Sequence, residues 1–159
     1  MIVTAMLLTG CSTAMVPVGA NRAAGPLAVD VIVGQDFPHF YRSDPYTPVH
    51  ITFRNNSPKK VQLKHSYFTL VDPGGHEFVI APIPRVMDWL KWNHWHRYAR
   101  YYPTPIGRYV FREGRLSPGA EMEAVMFFHQ ATRWGQGTYT LRAAIPNNTQ
   151  PVEFKFRLK

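Results

Sequence analysis

The chain reads as an all-β protein, an antiparallel β-sandwich, and three observations predict it. Short segments alternate apolar and polar residues at the strand period, and clusters of Pro, Gly, Asn and Asp separate them. The 159 residues are 45% hydrophobic and 14% aromatic, enough for one domain to bury a core. A single cysteine excludes a disulfide framework and any cysteine-based metal knuckle, so packing alone must hold the fold.

Residues 1–10 form a short apolar leader with no charged side chain, ending in Leu8-Thr9-Gly10 before the only cysteine, Cys11. This resembles the lipobox of bacterial lipoproteins. In that motif a branched apolar residue and two small ones fit a narrow peptidase pocket, and the thiol that follows carries diacylglycerol. The resemblance implies that residues 1–10 are a signal peptide and that Cys11 is lipidated and becomes the N-terminus. It also implies, from Ser12 standing where Asp would retain the protein at the inner membrane, sorting to the outer membrane. Anchoring would rest on lipid alone, because no apolar run approaches the ~20 residues of a membrane span. Residues 12–26 are mostly Ala, Gly, Pro, Val and Ser/Thr with one Arg, without periodicity, and residues 11–26 read as the lipidated N-terminus and a tether.

The β-domain spans residues 27–159. Val29, Val31 and Val33 alternate with Asp30 and Ile32, and a long loop over 34–48 follows. Val49, Ile51 and Phe53 alternate with His50, Thr52 and Arg54, ending at the turn Asn55-Asn56-Ser57-Pro58. Strands over 60–63 and 67–71 come next, then Asp72-Pro73-Gly74-Gly75, which suits a tight turn returning into a hairpin partner over 76–80. After an interruption the pattern resumes at 109–111, at 121–129 beyond Ser117-Pro118-Gly119, and at 138–143. It closes with Val152, Phe154, Phe156 and Leu158 against Glu153, Lys155, Arg157 and Lys159. Seven or more short strands joined by turns predict an immunoglobulin-like sandwich.

The interruption holds one amphipathic helix, residues 84–102, with Pro84 at its start and Pro103 beyond its end. At helical spacing Trp92, Trp95, Tyr98, Ala99 and Tyr102 share one face, and Asn93, Arg97 and Arg100 the opposite one. The stretch 85–115 also concentrates Lys and Arg against Asp88 and Glu113 alone. Three readings stay open. The aromatic face can cover the 121–129 strand, which is apolar on both sides from Ala124 onward and therefore needs cover on both. It can instead be an exposed recognition surface, with Trp89, Trp92, Trp95, Arg97, Tyr98, Arg100 and Tyr101 as partner contacts. Or it can lie in a bilayer interface.

Several stretches carry a second resemblance: Phe53-Arg54-Asn55-Asn56-Ser57, Phe68 through Gly75, Leu116 through Glu121, and Gly137-Thr138-Tyr139-Thr140-Leu141. Their order is similar to the Ig-like domains of uncharacterised bacterial surface lipoproteins and to BsuPI-type proteinase-inhibitor domains. The similarity covers most of residues 46–145, with a longer connection here between Ile80 and Tyr109. It bears on the fold, because sandwiches of this kind host unrelated activities.

The net charge of +8, with a pI near 9.9, lies wholly after residue 11 and favours anionic partners: an acidic protein face, an anionic glycan or lipid head groups. Nucleic acid is not expected for an envelope protein. Enzyme signatures such as G-x-S-x-G, H-E-x-x-H and Gly-rich phosphate loops are missing, and no cofactor is implied. Among the seven histidines, His94 and His96 would point about 160° apart on a helix, so they cannot both serve one ion there. Copper or zinc held by His94 or His96 with His129 is the alternative chemistry. The sequence thus predicts a lipid-anchored, non-enzymatic binding or assembly module, with periplasmic metal handling as the rival, and leaves the oligomeric state open.

Overall fold

The computed structural model describes residues 12–13, 15–32, 40–41, 45–91, 108–129, 137–146 and 150–158. The strands are β1 (Ser12–Thr13), β2 (Met15–Pro17), β3 (Arg22–Ala23), β4 (Leu27–Ile32), β5 (Phe40–Tyr41), β6 (Tyr46–Asn55), β7 (Val61–Leu63), β8 (Phe68–Val71) and β9 (Glu77–Val79). Helix α1 (Ile83–Trp89) follows, then β10 (Gly114–Leu116), β11 (Glu121–His129), β12 (Thr138–Ala143) and β13 (Val152–Leu158). One sheet has the order β11-β6-β4-β3 and the other β2-β13-β12-β8-β9, every pair antiparallel. Two-stranded pairs β7–β10 and β1–β5 complete the pairing. Strands β4, β6 and β11 stand as A, B and E of an immunoglobulin-like sandwich, and β8, β12 and β13 as C, F and G.

Alternation decides which side chains meet between the sheets. Val29 and Val31 of β4, Val49, Ile51 and Phe53 of β6, and Ala124, Met126 and Phe128 of β11 face Phe68, Leu70, Tyr139, Leu141, Phe154 and Phe156 of the second sheet, all buried in one core. Tyr139 stacks on Phe156, its cross-strand neighbour, at 6.0 Å.

The outer face of β6 and β11 carries a second apolar cluster, because Val125 and Phe127 point away from the first. Val86, Trp89 and Leu90 of the helical segment cover them, with Tyr46, Ala81 and Val110. Trp89 meets Phe127 edge-on at 6.1 Å and Tyr46 at 5.3 Å. Both ends of the insertion are fixed to the free edge of β11: Ala81 N–H donates to Phe127 O at 2.7 Å on the way out, and Phe111 N–H to Val125 O at 2.9 Å on the return. Sequence spacing alone indicates that β11 needs cover on both faces, and α1 supplies it.

Three sequence expectations need correction, and a fourth falls mostly outside the described residues. Residues 11–26 are not a free tether: Met15–Pro17 pairs with the end of β13, Arg22–Ala23 pairs with β4, and Ser12–Thr13 pairs with β5. At β2 and β3 the backbone satisfies the edge of an existing sheet, which needs no hydrophobic alternation of its own. Of the helix expected over 84–102 the described part is helical, α1 over Ile83–Trp89 with Leu90 and Lys91 continuing it in a π-helical turn, and residues 92–107 lie outside the described residues. Residues 109–111 join β11 through a single parallel bridge, Val110 to Val125, instead of forming a strand. The loop read over 34–48 gives up Tyr46, Thr47 and Pro48 to β6, whose pairing with β11 runs on to His129.

At the β8–β9 hairpin Gly75 takes φ +83°, and Asp72 holds His76 through backbone and ring contacts at 2.9 and 3.0 Å. Partial burial opposes the Asp72 charge, but the hydrogen bonds from His76 outweigh it and lower the carboxyl pKa below the usual 3.8. A Cβ on Gly137 would stand 2.6 Å from Pro73 Cβ, so this glycine lets the start of β12 pass against the turn.

Replacing Trp89 with Ala should cost roughly 3–5 kcal/mol, a large part of a domain's stability, and Trp89→Phe distinctly less. Urea unfolding of the two variants checks this; a loss below 1 kcal/mol for Trp89→Ala would mean that the helix is not part of the core.

Candidate functional site

Of the predicted contact residues the structure places one, Trp89, and it is 8% exposed. It therefore packs the domain and does not present its ring to a partner, which corrects its assignment to the contact surface. Its spacing from Val86 and Leu90, three residues after one and one before the other, puts it on the helix face that turns inward toward β11. Trp92, Trp95, Arg97, Tyr98, Arg100 and Tyr101 lie outside the described residues, as do His94, His96 and Cys11. His129 is exposed at the end of β11, its ring 5.6 Å from Tyr46. Among the described residues no group of three or more His, Cys, Asp or Glu is placed to hold a metal ion.

Three polar regions remain. On the outer face of the first sheet, Arg22, Asp30, Thr52, Arg54, Asn56 and Glu121 line an open concavity of about 470 Å³. Its charges balance, and Arg22 is bonded to Asp30 at 2.7 Å, so it has little to offer a charged ligand.

Beside it, between the polar half of this face and the part under α1, His50 is buried and its Nε2 lies 2.6 Å from Glu123 Oε1. Alternation correctly puts His50 on the outer face of β6, but the cover over that face makes it a buried residue. Burial lowers its pKa, and the Glu123 carboxylate offsets the effect only in part.

The third region is basic. Strands β7 and β10 pair through Val61–Leu116, Gln62–Arg115 and Leu63–Gly114, with Val61, Leu63 and Leu116 turned into the core. Lys59, Lys60, Lys64, Arg112 and Arg115 are all exposed on or beside this ribbon, and among the described residues none of them has an acidic partner. Arg115 instead meets neutral Gln62 at 3.3 Å, and Glu113, the one acid there, accepts from the backbone N–H of His65 at 2.8 Å. Like charges left together on a short ribbon repel, so something must hold the scaffold.

Asn55 does so. It is fully buried, and its Nδ2 donates to Lys59 O and to Leu116 O, both at 2.8 Å, while its Oδ1 accepts from the N–H and hydroxyl of Ser57. One side chain thus ties the residues leading into β7 to the last residue of β10. The sequence shows the turn at Asn55 and the basic stretch up to Arg115, but not that they meet, because Asn55 and Leu116 are 61 positions apart.

No family model and no curated protein matches the chain. Among solved structures it is similar to the crystal structure of the yjhA protein from Bacillus subtilis, with a TM-score of 0.48 and 13% identity over 87% of this chain and 95% of that one.

Two outcomes are expected. Asn55→Ala leaves the buried Leu116 carbonyl without its side-chain donor, while Lys59 O keeps the Ser57 hydroxyl, and should cost roughly 1–3 kcal/mol, read as a lower urea midpoint. His50 stays neutral in the fold below its ordinary pKa of 6.5, so the unfolded chain binds the proton first and stability falls as pH drops below about 6.5. Melting temperatures between pH 7.5 and 5 should therefore decline less steeply in His50→Gln than in the parent; identical slopes would assign the decline to other groups.

Proposed function

We propose that this is a lipid-anchored cell-envelope protein serving as a non-enzymatic binding or assembly module, with the basic β7–β10 ribbon as its contact surface. The observation that carries the reading is the exposed, unpaired set Lys59, Lys60, Lys64, Arg112 and Arg115 on a ribbon fixed by buried Asn55. A surface that keeps uncompensated charge on a rigid support suits an anionic partner, steering the encounter and fixing orientation. The ribbon includes the basic flank of the segment that sequence alone suggests, while the described start of that segment serves the core.

The lipid anchor rests on Leu8-Thr9-Gly10-Cys11 and its resemblance to a lipobox; Ser12 favours the outer membrane. Among the described residues no helix is long and apolar enough to cross a membrane, so the proposed attachment is the acyl chain.

Metabolic labelling with a fatty acid should mark the parent protein and not Cys11→Ala, and the variant should accumulate as precursor or leave the membrane fraction. Undiminished labelling of the variant would remove the anchor from the reading.

A further inference from the structure

Beside the ribbon lies a cavity of about 470 Å³ whose walls include Pro26, Pro58, Tyr67 and Pro146, with Lys59 and Lys60 also on its lining. Three prolines and a tyrosine give a rigid, mostly apolar surface of the size that takes one ring of a small ligand, and the two lysines add charge beside it. The cations continue from there along the ribbon through Arg115 to Lys64. Two strand registers place this region within the sandwich. Leu27 pairs with Asn55 and Ala144 N–H donates to Tyr67 O, so the cavity lies at the end where β4, β8 and β13 begin.

The first described strands lie at the other end. Met15 pairs with Leu158, and Arg157 with Thr138, at the finish of β13 and the start of β12. The length of β13 separates the two ends, roughly 20 Å at the strand rise. From Cys11 to Met15 the chain reaches at most about 14 Å, even fully extended. Ser12, next to Cys11, pairs with Tyr41 in the connection from β4 to β6 at this same end, so a lipid on Cys11 would bring this end of the sandwich toward its bilayer and turn the ribbon end away from it.

We infer that the cavity and ribbon bind an acidic polysaccharide on the side facing away from the anchoring membrane, with one sugar ring against Tyr67 and the prolines and its carboxylates on Lys59, Lys60 and Arg115. This rests on the anchored binding-module reading for its orientation, while the binding itself does not need the lipid. A protein partner fits less well. Among the described residues Val79 is the one large hydrophobic side chain that is strongly exposed, and it lies on β9, so the ribbon offers no apolar anchor of the kind that dominates protein interfaces.

The test uses the full chain carrying Cys11→Ala, so that loss of the anchor cannot be mistaken for loss of binding. Polygalacturonate is titrated against it in parallel with neutral dextran and with phosphatidylglycerol vesicles. The expected result is binding to polygalacturonate and not to dextran, weakened on raising salt from 0.1 to 0.5 M. Lys60→Glu with Arg115→Glu should weaken it about tenfold or more, and the corresponding Gln pair by a smaller factor. Arg157→Glu, at the other end of β13, should leave it unchanged. All of these residues are exposed, and unchanged melting temperatures would show that the variants fold. Equal binding to dextran, no binding to polygalacturonate, or vesicles captured through the same ribbon in preference to polygalacturonate would each overturn the inference. The fatty-acid labelling result stands or falls separately.

Discussion

Everything in this domain depends on β11, a strand that is apolar on both faces from Ala124 to Phe128. Strands β6 and β11 pair along nine consecutive positions, from Arg54–Glu121 to Tyr46–His129. Ile51 and Met126 face one way while Val125 and Phe127 face the other. Leaving either face wet would expose several large side chains at roughly 1.5–3 kcal/mol each. The second sheet covers one face and the insertion the other. The insertion is therefore part of the fold's own requirement, and its start was not free to become a recognition surface.

That division explains what could be read in advance. Strand β11, strand β12 and the start of the helix near Pro84 announce themselves through alternation and punctuation, and the structure places them within a residue of those positions. The inward direction of Trp89 follows from its helical spacing to Val86, although sequence alone suggests it as a contact residue. Short strands were illegible for a physical reason: β10 is Gly-Arg-Leu with one buried side chain, and β2 is three residues long, too short for any period to appear. Such strands exist because a neighbouring edge needs hydrogen bonds, and that information resides in the neighbour. The ribbon was half legible for the same reason. Its charges are plain in the sequence, but their gathering depends on Asn55 reaching Leu116.

Charge is distributed unevenly over the surface. On the outer face of the second sheet Arg142 bonds Glu77 and Glu153, and Lys155 also approaches Glu153. On the first sheet Arg22 bonds Asp30, and His50 stands against Glu123. Exposed pairs of this kind contribute little stability, but they quieten the field around them. Against that background the β7–β10 ribbon gathers five exposed basic side chains with no acidic partner among the described residues.

The short strand β2 has a bearing on how the protein is handled. It is the outermost member of its sheet, lying along β13, whose Phe154 and Phe156 are core residues. Trimming the chain at residue 27, as one would to remove an apparently idle leader and obtain a soluble domain, strips β2 away and uncovers the backbone of β13. A bare edge of this sort templates strand addition by other molecules. A shortened version should then suffer from self-association in storage, while one beginning at residue 12 keeps its natural selvedge.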